Sequence, residues 1–534
     1  MKFWQRSSFA LGLFLLASSP VFAASFPAPT PAPTVAAPQS LPSHIPQYQV
    51  LQGCFHNTNG NCPAPSSNGA ISDYNDLATA LDYDETDVRA INLAHQAGIK
   101  TLVYTDPVYI HGGTTYNGVT YCPQGSNPMP AYTLMHERSY GAAIMNPNAN
   151  QSTCGGAVTA TVFGDIANPA AWQFWDQAIL QNFAYSTVNN SGVINSIRTG
   201  LDWVRIDDMY ANFNSALLCA STGVLSATGT FTTCGQSSPS IAGGTYTVTA
   251  DNVPFPGQPA PNYAGTAYNN GVKGFFRSFG QYGLAVDPND VTDPTIVAQI
   301  ASDADHANIG EVTCENCITI GSGNALWNDT IWRNHVDMAI YAQSIGLPVH
   351  FFHPILNSQA NEKYLYGSIW LALMTPKGIS VTNQLGGSLS APSSGVAISP
   401  LSYIIPTQPI ADPVNMFANP LDLRYNPANP PSSYFAGALK VATGIYKREF
   451  AVCYDNHTGT PVSLGPCAAI VATPAAASST NISALGLAGT YTHTVSWTGT
   501  GILTQAAYGD TYSLSETTAA PSTISQGTAV LLFT

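Results

Sequence analysis

The sequence predicts an α/β fold, a (β/α)8 TIM barrel with a C-terminal all-β sandwich domain. From about residue 47, short apolar segments typical of strands alternate with segments of helical periodicity, and eight such strands predict this barrel. After about residue 440 the helical periodicity stops, and short strands separated by turn-rich segments favour a small sandwich. We expect the catalytic barrel over residues 47–435 and the sandwich over 436–534.

Two segments at the start of the chain are expected to lie outside this fold. Residues 1–23 have the pattern of a signal peptide, because Lys2 and Arg6 precede a short apolar run and Val21-Phe22-Ala23 forms a cleavage site. Neither this run nor any later stretch is long and apolar enough to span a bilayer. Residues 24–46 are rich in Pro and Ala and predict an extended linker. We therefore expect a secreted or periplasmic protein without a membrane span.

The first half of the predicted barrel ends at residue 208. Strands are predicted at 48–55, 99–104, 158–163 and 200–208. A helix is predicted at 84–97, where Val88, Ile91 and Ala94 share one side and Gly98 ends the helix. A second helix begins at Asn168-Pro169, a favourable cap and first position.

A long insertion separates the two halves of the predicted barrel. Residues 211–268 are rich in Gly, Ser, Thr and Pro, and they follow the strand from which Asp207 and Asp208 emerge. The second half then has helices at 272–282, 295–301, 330–344 and 364–374. Its strands are predicted at 283–286, 309–313, 348–352 and 378–382.

The charge of the chain limits its partners. Only 9% of the residues are charged, and the formal net charge is −14. Because nucleic acids and anionic membrane surfaces repel such a protein, they are not expected as its main partners. An uncharged carbohydrate substrate is compatible with this balance, whereas the oligomeric state is left open.

The ten cysteines agree with export, since an even number in an exported chain indicates disulfide bonds. Sequence does not determine their connectivity, and pairing of nearest neighbours is our hypothesis. The pairs would be Cys54/Cys62, Cys122/Cys154, Cys219/Cys234, Cys314/Cys317 and Cys453/Cys467. The fourth pair has the spacing C-x-x-C at 314–317, which also matches redox proteins, but no thioredoxin-like context is predicted around it.

The stretch 200–208, Gly-Leu-Asp-Trp-Val-Arg-Ile-Asp-Asp, has the pattern of a buried strand that ends at a site. Alternation places Trp203, Arg205 and Asp207 on one face of this strand. An adjacent guanidinium favours the ionised form of a carboxylate, so Arg205 is expected to orient Asp207. A purely structural ion pair is the alternative.

Active sites of this barrel lie at the C-terminal ends of its strands. The predicted ends carry Asp106, Asp165, Asp207, Asp208, Glu311 and His353. Such a set of carboxyl groups matches the two that cleave a glycosidic bond, one ionised and one with a raised pKa. We expect Asp207 as nucleophile or base and Glu311, among apolar neighbours, as general acid.

The remaining candidates would bind substrate. Glu315 is the alternative acid, Trp327 is the best candidate to stack on a sugar ring, and His353 is expected to bond to a sugar hydroxyl. The substrate-binding set is Asp208, Asp106, Asp165, Glu315, Trp327 and His353. No H-E-x-x-H or similar metal motif is present, so no metal or cofactor is expected.

The stretch 200–208 resembles the strand Gly-Phe-Asp-Gly-hydrophobic-hydrophobic-Asp of barrel glycoside hydrolases, such as the endo-α-1,4-polygalactosaminidases and glycoside-hydrolase-like families. Arg205-Ile206-Asp207 also resembles the Arg-x-Asp nucleophile strand of the α-amylase superfamily. The segment 444–450 resembles the lead into a terminal β-sandwich. The amylase-type His-Asp pair is absent after the seventh strand, where Phe351-Phe352-His353-Pro354 stands. The resemblance implies the barrel and a nucleophile at Asp207, and it implies no particular substrate.

These observations predict an exported glycoside hydrolase that cleaves a poly- or oligosaccharide with two carboxyl groups. The alternative is a non-catalytic glycan-binding or surface protein on a degenerate barrel. A carboxyl separation of about 5 Å favours a retaining enzyme, about 6.5–9.5 Å an inverting one, and a much larger gap the alternative. A metal-dependent hydrolase that uses the histidines is a third hypothesis.

Overall fold

A computed structural model describes the following residues: 41–42, 44–46, 48–50, 80–84, 100–105, 109–111, 115–116, 119–120, 161–163, 172, 202–207, 209, 224–225, 230–232, 246–247, 266–292, 294–301, 303–320, 325–356, 359–385, 400–410, 436, 439–456, 459–495 and 517–534. The expected signal peptide and most of the expected linker lie outside these residues. No helix in the described part of the chain is long and apolar enough to cross a membrane.

Parallel strands form two sheets in the described residues. The first sheet has the order β1-β2-β3-β4-β5 and the second the order β6-β7-β8. Their bounds are β1 Tyr48–Val50, β2 Ala80–Asp84, β3 Lys100–Thr105, β4 Trp203–Ile206, β5 Ala285–Pro288, β6 Val312–Glu315, β7 Val349–Leu356 and β8 Ile379–Leu385.

Backbone hydrogen bonds connect the two sheets at both seams. Val286 of β5 forms a parallel bridge with Ile309, and the Gly310 amide donates to the Val286 carbonyl over 2.8 Å. At the other seam, the Val381 amide of β8 donates to the Pro46 carbonyl, just before β1, over 2.9 Å. Neighbouring strands therefore follow one another in chain order, as expected of successive β-α-β units.

In the described part of the chain, four α-helices alternate with the later strands. They are α1 Thr266–Gly280, α2 Pro294–Ala301, α3 Asp329–Ser344 and α4 Gln359–Ala372. One face of the strands packs against these helices: Val204 and Ile206 of β4 are fully buried in the same apolar core as Phe275 of α1 and Val336 of α3. The alternation predicted for β4 is confirmed, because the apolar residues of this strand face the helices.

The structure corrects two of the predicted strands. Thr161–Phe163 pairs antiparallel with Tyr109–His111, so the strand predicted at 158–163 does not belong to the parallel sheets. Ala80–Asp84 supplies a parallel strand instead, between β1 and β3. Its two aspartates concealed the strand, since a buried parallel strand usually has a continuous apolar run.

The second correction concerns β6. The prediction placed this strand at 309–313, whereas it spans Val312–Glu315. Positive φ angles at His306, Ala307 and Asn308 turn the chain just before it, and Ile309 makes only a single bridge. Glu311 therefore precedes the strand, and Glu315 stands at its C-terminal end.

Other predictions fall largely on residues outside the described ones. The helix predicted at 84–97 is among them, except that Asp84 ends β2. Within the insertion, Val224–Leu225, Thr230–Thr232 and Tyr246–Thr247 form a three-stranded antiparallel sheet of their own. Residues 266–268, the end of the predicted insertion, already belong to α1.

The C-terminal part contains a seven-stranded antiparallel sheet. Its order is β9-β11-β12-β15-β13-β14, with β10 paired to β11. The bounds are β9 Ile404–Pro409, β10 Lys440–Ala442, β11 Ile445–Asp455, β12 Val462–Ala472, β13 His493–Val495, β14 Thr517–Ala519 and β15 Thr528–Phe533. Strand β9 precedes the boundary expected at residue 436, and a two-stranded sheet of Ser479–Asn481 and Thr523–Ser525 lies beside the main sheet.

In the second half of β12, residues on both faces of this sheet are buried. Along β12, Ala468 and Ile470 enter a small core with Ile482 and Ile524, whereas Ala469 and Val471 enter the main core. On that second face the sheet packs against α4. A Cβ at Gly367 of α4 would lie 2.7 Å from the Ala529 Cβ, so glycine permits this close approach.

Polar contacts hold the C-terminal sheet to the helices. The buried Arg448 guanidinium donates to the carbonyl oxygens of Leu371 (2.9 Å) and Leu373, at the C-terminal end of α4. These carbonyls have no partner within the helix, and the cation also complements the helix dipole. At the start of α3, Asp329 accepts hydrogen bonds from the Tyr446 hydroxyl (3.0 Å) and the Thr473 hydroxyl (2.6 Å).

Two of the five expected disulfide bonds fall in the described part of the chain. Cys314 pairs with Cys317 and Cys453 with Cys467, as the nearest-neighbour hypothesis predicts. The six other cysteines lie outside the described residues.

We predict that Arg448→Met destabilises the protein by about 2–3 kcal/mol, because it leaves buried carbonyl oxygens without their charged donor. Urea unfolding followed by circular dichroism measures this. Lys440→Met is the control: it removes an exposed cation from β10, and its effect should stay within about 0.5 kcal/mol. Equal midpoints for the two variants would contradict the role given to Arg448.

Candidate active site

Alternate residues of β4, β5, β6 and β7 build the site in layers. Side chains two residues apart on a strand share a face, one layer above the other. A middle layer contains Arg205, Asp287, Thr313 and His350, whose side chains are joined by hydrogen bonds. Two residues further along β4, β5 and β6, an upper layer contains Asp207, Asn289 and Glu315.

Arg205 is the centre of the middle layer. Its guanidinium forms an ion pair with Asp287 over 2.9 Å, and both side chains are almost fully buried. The same guanidinium donates to Nδ1 of His350 over 2.7 Å and to the Thr313 hydroxyl over 3.3 Å. The Thr313 hydroxyl donates to Asp287 over 2.7 Å. A buried charge is tolerated only with such compensation.

His350 is neutral in this arrangement. Its Nδ1 accepts from Arg205, and its Nε2 lies 2.9 Å from the Thr382 hydroxyl of β8. Burial, with the nearby Arg205 charge, holds the pKa of His350 well below its usual value. The middle layer thus connects β4 to β8 through one continuous set of hydrogen bonds.

The ion pair of Arg205 differs from the one expected. The sequence indicated a pair with Asp207, two residues along the same strand. Residues in that relation are about 6.6 Å apart, whereas hydrogen-bonded neighbours on adjacent strands are separated by about 4.8 Å. Asp287 is the registered neighbour of Arg205 on β5, and it holds the guanidinium.

Asn289 joins the two carboxyl groups of the upper layer. Its Nδ2 donates to Oδ1 of Asp207 over 2.6 Å and to Oε2 of Glu315 over 2.8 Å. Because both bonds share one nitrogen, these two oxygens are at most roughly 5.4 Å apart, closer than the separation of about 6.5–9.5 Å between the carboxyl groups of inverting glycosidases. The Asn289 backbone amide also donates to the Ile206 carbonyl over 2.8 Å, which fixes the residue at the end of β4.

Glu315 has the environment of a general acid. Burial raises its pKa, and the neighbouring Asp207 raises it further. Hydrogen bonds from Asn289 and Asn316 and the charge of Arg205 oppose this shift only in part. A carboxyl group with a raised pKa keeps its proton at higher pH, where it can donate that proton to a leaving group.

The structure places Glu311 lower in the layers than expected. It is 2% exposed, and it precedes β6 by one residue, four residues before Glu315. A carboxyl oxygen of Glu311 lies within 4.8 Å of a carboxyl oxygen of Asp287 and of a ring nitrogen of His350. The Lys100 ammonium lies 3.3 Å from the Trp203 ring centroid. Burial lowers the pKa of Lys100, and the negative charge of Glu311 opposes this shift. Glu311 thus belongs to the buried charge network beneath Asp207.

Asp287, Glu311 and His350 could hold a metal ion by distance alone. Arg205, however, already supplies the positive charge there, through its bonds to Asp287 and His350. The chemistry of the group is therefore that of an ion-pair network.

His353 lies on the opposite face of β7 from His350 and Phe352. It is fully buried beside the core residue Phe351, with ring centroids 6.5 Å apart. Among the described residues, neither ring nitrogen of His353 has a hydrogen-bond partner. Burial, with His335 nearby, lowers the pKa of His353 to about 3. The sequence predicted a contact with a sugar hydroxyl, but this side chain points into the helix-facing core.

Trp327 supports the loop that carries Glu315. Its Nε1 donates to the Asn316 carbonyl over 2.6 Å, and its ring packs edge-on against His335. The predicted stacking on a sugar remains an expectation. The other predicted site residues, Asp106, Asp165 and Asp208, lie outside the described residues.

Sequence reasoning missed Asp287 and Asn289. The prediction ended the fifth strand at Val286, whereas β5 continues to Pro288. The alternation of Ala285, Asp287 and Asn289 was the available signal. Asp290 and Asn316, directly after Asn289 and Glu315, have φ of 59° and 52°, which Asp and Asn tolerate better than most residues.

The comparisons with known proteins show only distant similarity. No family model and no curated protein matches the chain. Among solved structures, a Family GH13_31 enzyme aligns with 64% of this chain and 66% of its own at 10% identity and a TM-score of 0.34. A xylosidase from Aspergillus niger aligns with 92% and 65% at 10% identity and a TM-score of 0.38.

A third solved structure, the galactosidase domain of an alpha-galactosidase-sucrose kinase, aligns with 87% of this chain and 51% of its own. The identity is 9% and the TM-score 0.33. In all three cases the chain spans less than two thirds of the other protein's length.

We predict that Asn289→Ala raises the pKa of Glu315, because the variant removes a donor that stabilises the carboxylate and leaves Asp207 opposite. Carboxyl ¹³C NMR titration measures this, with the Glu315 signal assigned from its loss in Glu315→Gln. Asn481→Ala, which removes an amide from the C-terminal part, is the control. A Glu315 pKa that stays constant or falls would contradict the bridging role of Asn289.

We also predict that His353→Phe increases stability most at acidic pH. Unfolded histidine binds a proton near pH 6.5, but folded His353 does so only near pH 3. The unfolded state therefore binds more protons in this window, and wild-type stability falls as the pH falls through it. From pH 8 to pH 5, the unfolding free energy of His353→Phe relative to wild type should therefore increase by about 2 kcal/mol. Urea unfolding of both proteins at pH 8 and pH 5 measures this. If the difference in unfolding free energy between variant and wild type were the same at both pH values, the prediction would be wrong.

Proposed function

We propose that the protein is an exported glycoside hydrolase that uses Asp207 and Glu315 to cleave a glycosidic bond in a poly- or oligosaccharide. One observation carries the proposal: a single amide, that of Asn289, joins both carboxyl groups, and the environment raises the pKa of Glu315. Two carboxyl groups this close, one of them with a raised pKa, match what glycoside hydrolysis requires.

We infer that the eight parallel strands close into a (β/α)8 barrel followed by a β-sandwich. The chain-order arrangement and the backbone bonds at both seams support closure. The site then stands at the C-terminal ends of β4, β5 and β6, where barrel enzymes carry their catalytic groups. The same position leaves the middle layer as the floor of the site.

In the proposed reaction, an Asp207 carboxylate oxygen attacks the anomeric carbon while Glu315 gives its proton to the glycosidic oxygen. The bond between these two substrate atoms breaks, the alcohol leaves, and an ester forms on Asp207. Glu315, now a carboxylate, takes a proton from water as the water oxygen attacks the same carbon. The ester bond breaks, Asp207 returns as carboxylate, and the sugar keeps its anomeric configuration.

Arg205 acts from below in this proposal. Its charge opposes the rise in the Glu315 pKa, and its ion pair with Asp287 fixes β4 against β5, which carry Asp207 and Asn289. We assign it a positioning role. The proposed partner is a carbohydrate, and the proposed location is secreted or periplasmic.

The test is reducing-sugar release by the mature protein across a polysaccharide panel. Glu315→Gln should lower kcat by about 10²–10⁴-fold, as expected for loss of a general acid. Asp207→Asn should lower it at least as much, because no nucleophile remains. Glu311→Gln, in the residue directly before β6, is the matched comparison, and the alkaline limb of its pH–rate profile should stay at the wild-type pH.

The outcomes separate the hypotheses. Loss of activity in Glu311→Gln with full activity in Glu315→Gln would restore the acid first expected from the sequence. A product of inverted configuration, seen by ¹H NMR, would contradict the proposed ester on Asp207. Binding of a polysaccharide without any turnover would favour the non-catalytic alternative.

A further inference from the structure

The segment Cys314-Glu315-Asn316-Cys317 forms a closed ring through the disulfide bond between its two ends. The ring contains Glu315, the acid of the proposed reaction. Both half-cystines are fully buried in the apolar core. Because neighbouring side chains on a strand alternate, the disulfide is anchored on the helix-facing side while Glu315 points to Asp207 and Asn289.

Three backbone groups in the turn after Glu315 are hydrogen-bonded to different parts of the chain. The Asn316 amide donates to the Phe352 carbonyl of β7 over 2.9 Å, and its carbonyl accepts from Nε1 of Trp327. The Cys317 carbonyl is bonded to Nδ1 of His335 on α3. Asn316 itself has a left-handed φ of 52°, which turns the chain sharply after Glu315. The ring keeps this turn closed.

We propose that the Cys314–Cys317 disulfide is a positioning element for Glu315, which holds the carboxyl group buried beside Asp207. This inference rests on the proposed function only for its consequence in catalysis. Without the covalent bond, the turn at Asn316 can open, and Glu315 can move toward water and away from Asp207. Both causes that raise its pKa would then weaken.

The second disulfide provides a matched control. Cys453 and Cys467 connect β11 and β12 in the C-terminal sheet, with a sequence separation of 14 against 3 for Cys314 and Cys317. In the chain-entropy model the stabilisation from a disulfide grows with the length of the closed loop. Loss of the Cys453–Cys467 bond should therefore lower the stability more, whereas loss of the Cys314–Cys317 bond should change the Glu315 pKa more.

The experiment compares Cys314→Ala/Cys317→Ala with Cys453→Ala/Cys467→Ala in the full mature chain. The readouts are the Glu315 pKa from carboxyl ¹³C NMR, the melting temperature and, where a substrate is known, the pH–rate profile. We expect the first double variant to lower the Glu315 pKa, to move the alkaline limb to lower pH, and to reduce kcat at least about tenfold. The second should lower the melting temperature more and leave the Glu315 pKa unchanged.

A second variant keeps the test decisive if the first double variant does not fold. Cys314→Val/Cys317→Val also lacks the disulfide bond but fills the buried space of the two half-cystines with apolar side chains, so it should lower the Glu315 pKa as well. An unchanged Glu315 pKa in the folded Cys314→Ala/Cys317→Ala protein, or in Cys314→Val/Cys317→Val when that alone folds, overturns the inference. A wild-type protein inactive on every polysaccharide would instead remove the proposed function, since the NMR readout needs no turnover.

Discussion

The ion pair of Arg205 with Asp287 is the interaction on which the rest of the site depends. Both groups are almost fully buried, so neither can be left without the other. Satisfying the guanidinium also requires Thr313 and His350, which lie on β6 and β7. One buried cation and its acceptors therefore fix how four neighbouring strands are shifted along their axes relative to one another.

The upper layer follows from the middle layer by the geometry of strands. A step of two residues from Arg205, Asp287 and Thr313 leads to Asp207, Asn289 and Glu315. Because the lower residues are held at one level, the upper residues meet at one level too. Asn289 then joins two carboxyl groups that come from strands separated in sequence by more than 100 residues. The buried network thus sets the distance between Asp207, the proposed nucleophile, and Glu315, the proposed acid.

The helix-facing side of the same strands is held in a different way. There, apolar packing, the Cys314–Cys317 disulfide and the bond from Trp327 fix the turn after β6. The C-terminal sheet extends this support, since Arg448 bonds to the end of α4 and Asp329 at the start of α3 accepts from Tyr446. Glu315 therefore lies between a polar layer on one side and an apolar core on the other.

The sequence by itself determined the alternation of strands and helices, the faces of β4 and the place of Asp207 at the end of that strand, because these depend on the period of apolar residues along a local segment. It also indicated the two disulfide pairs, since half-cystines close in sequence can meet without long-range folding. Only the tertiary structure decided which charges pair. Register across strands places Asp287, rather than a residue of β4 itself, against Arg205, and the start of β6 at Val312 raises Glu315 and lowers Glu311. A shift of a few residues in one strand changes the level of every side chain on it, and local periodicity does not record that shift.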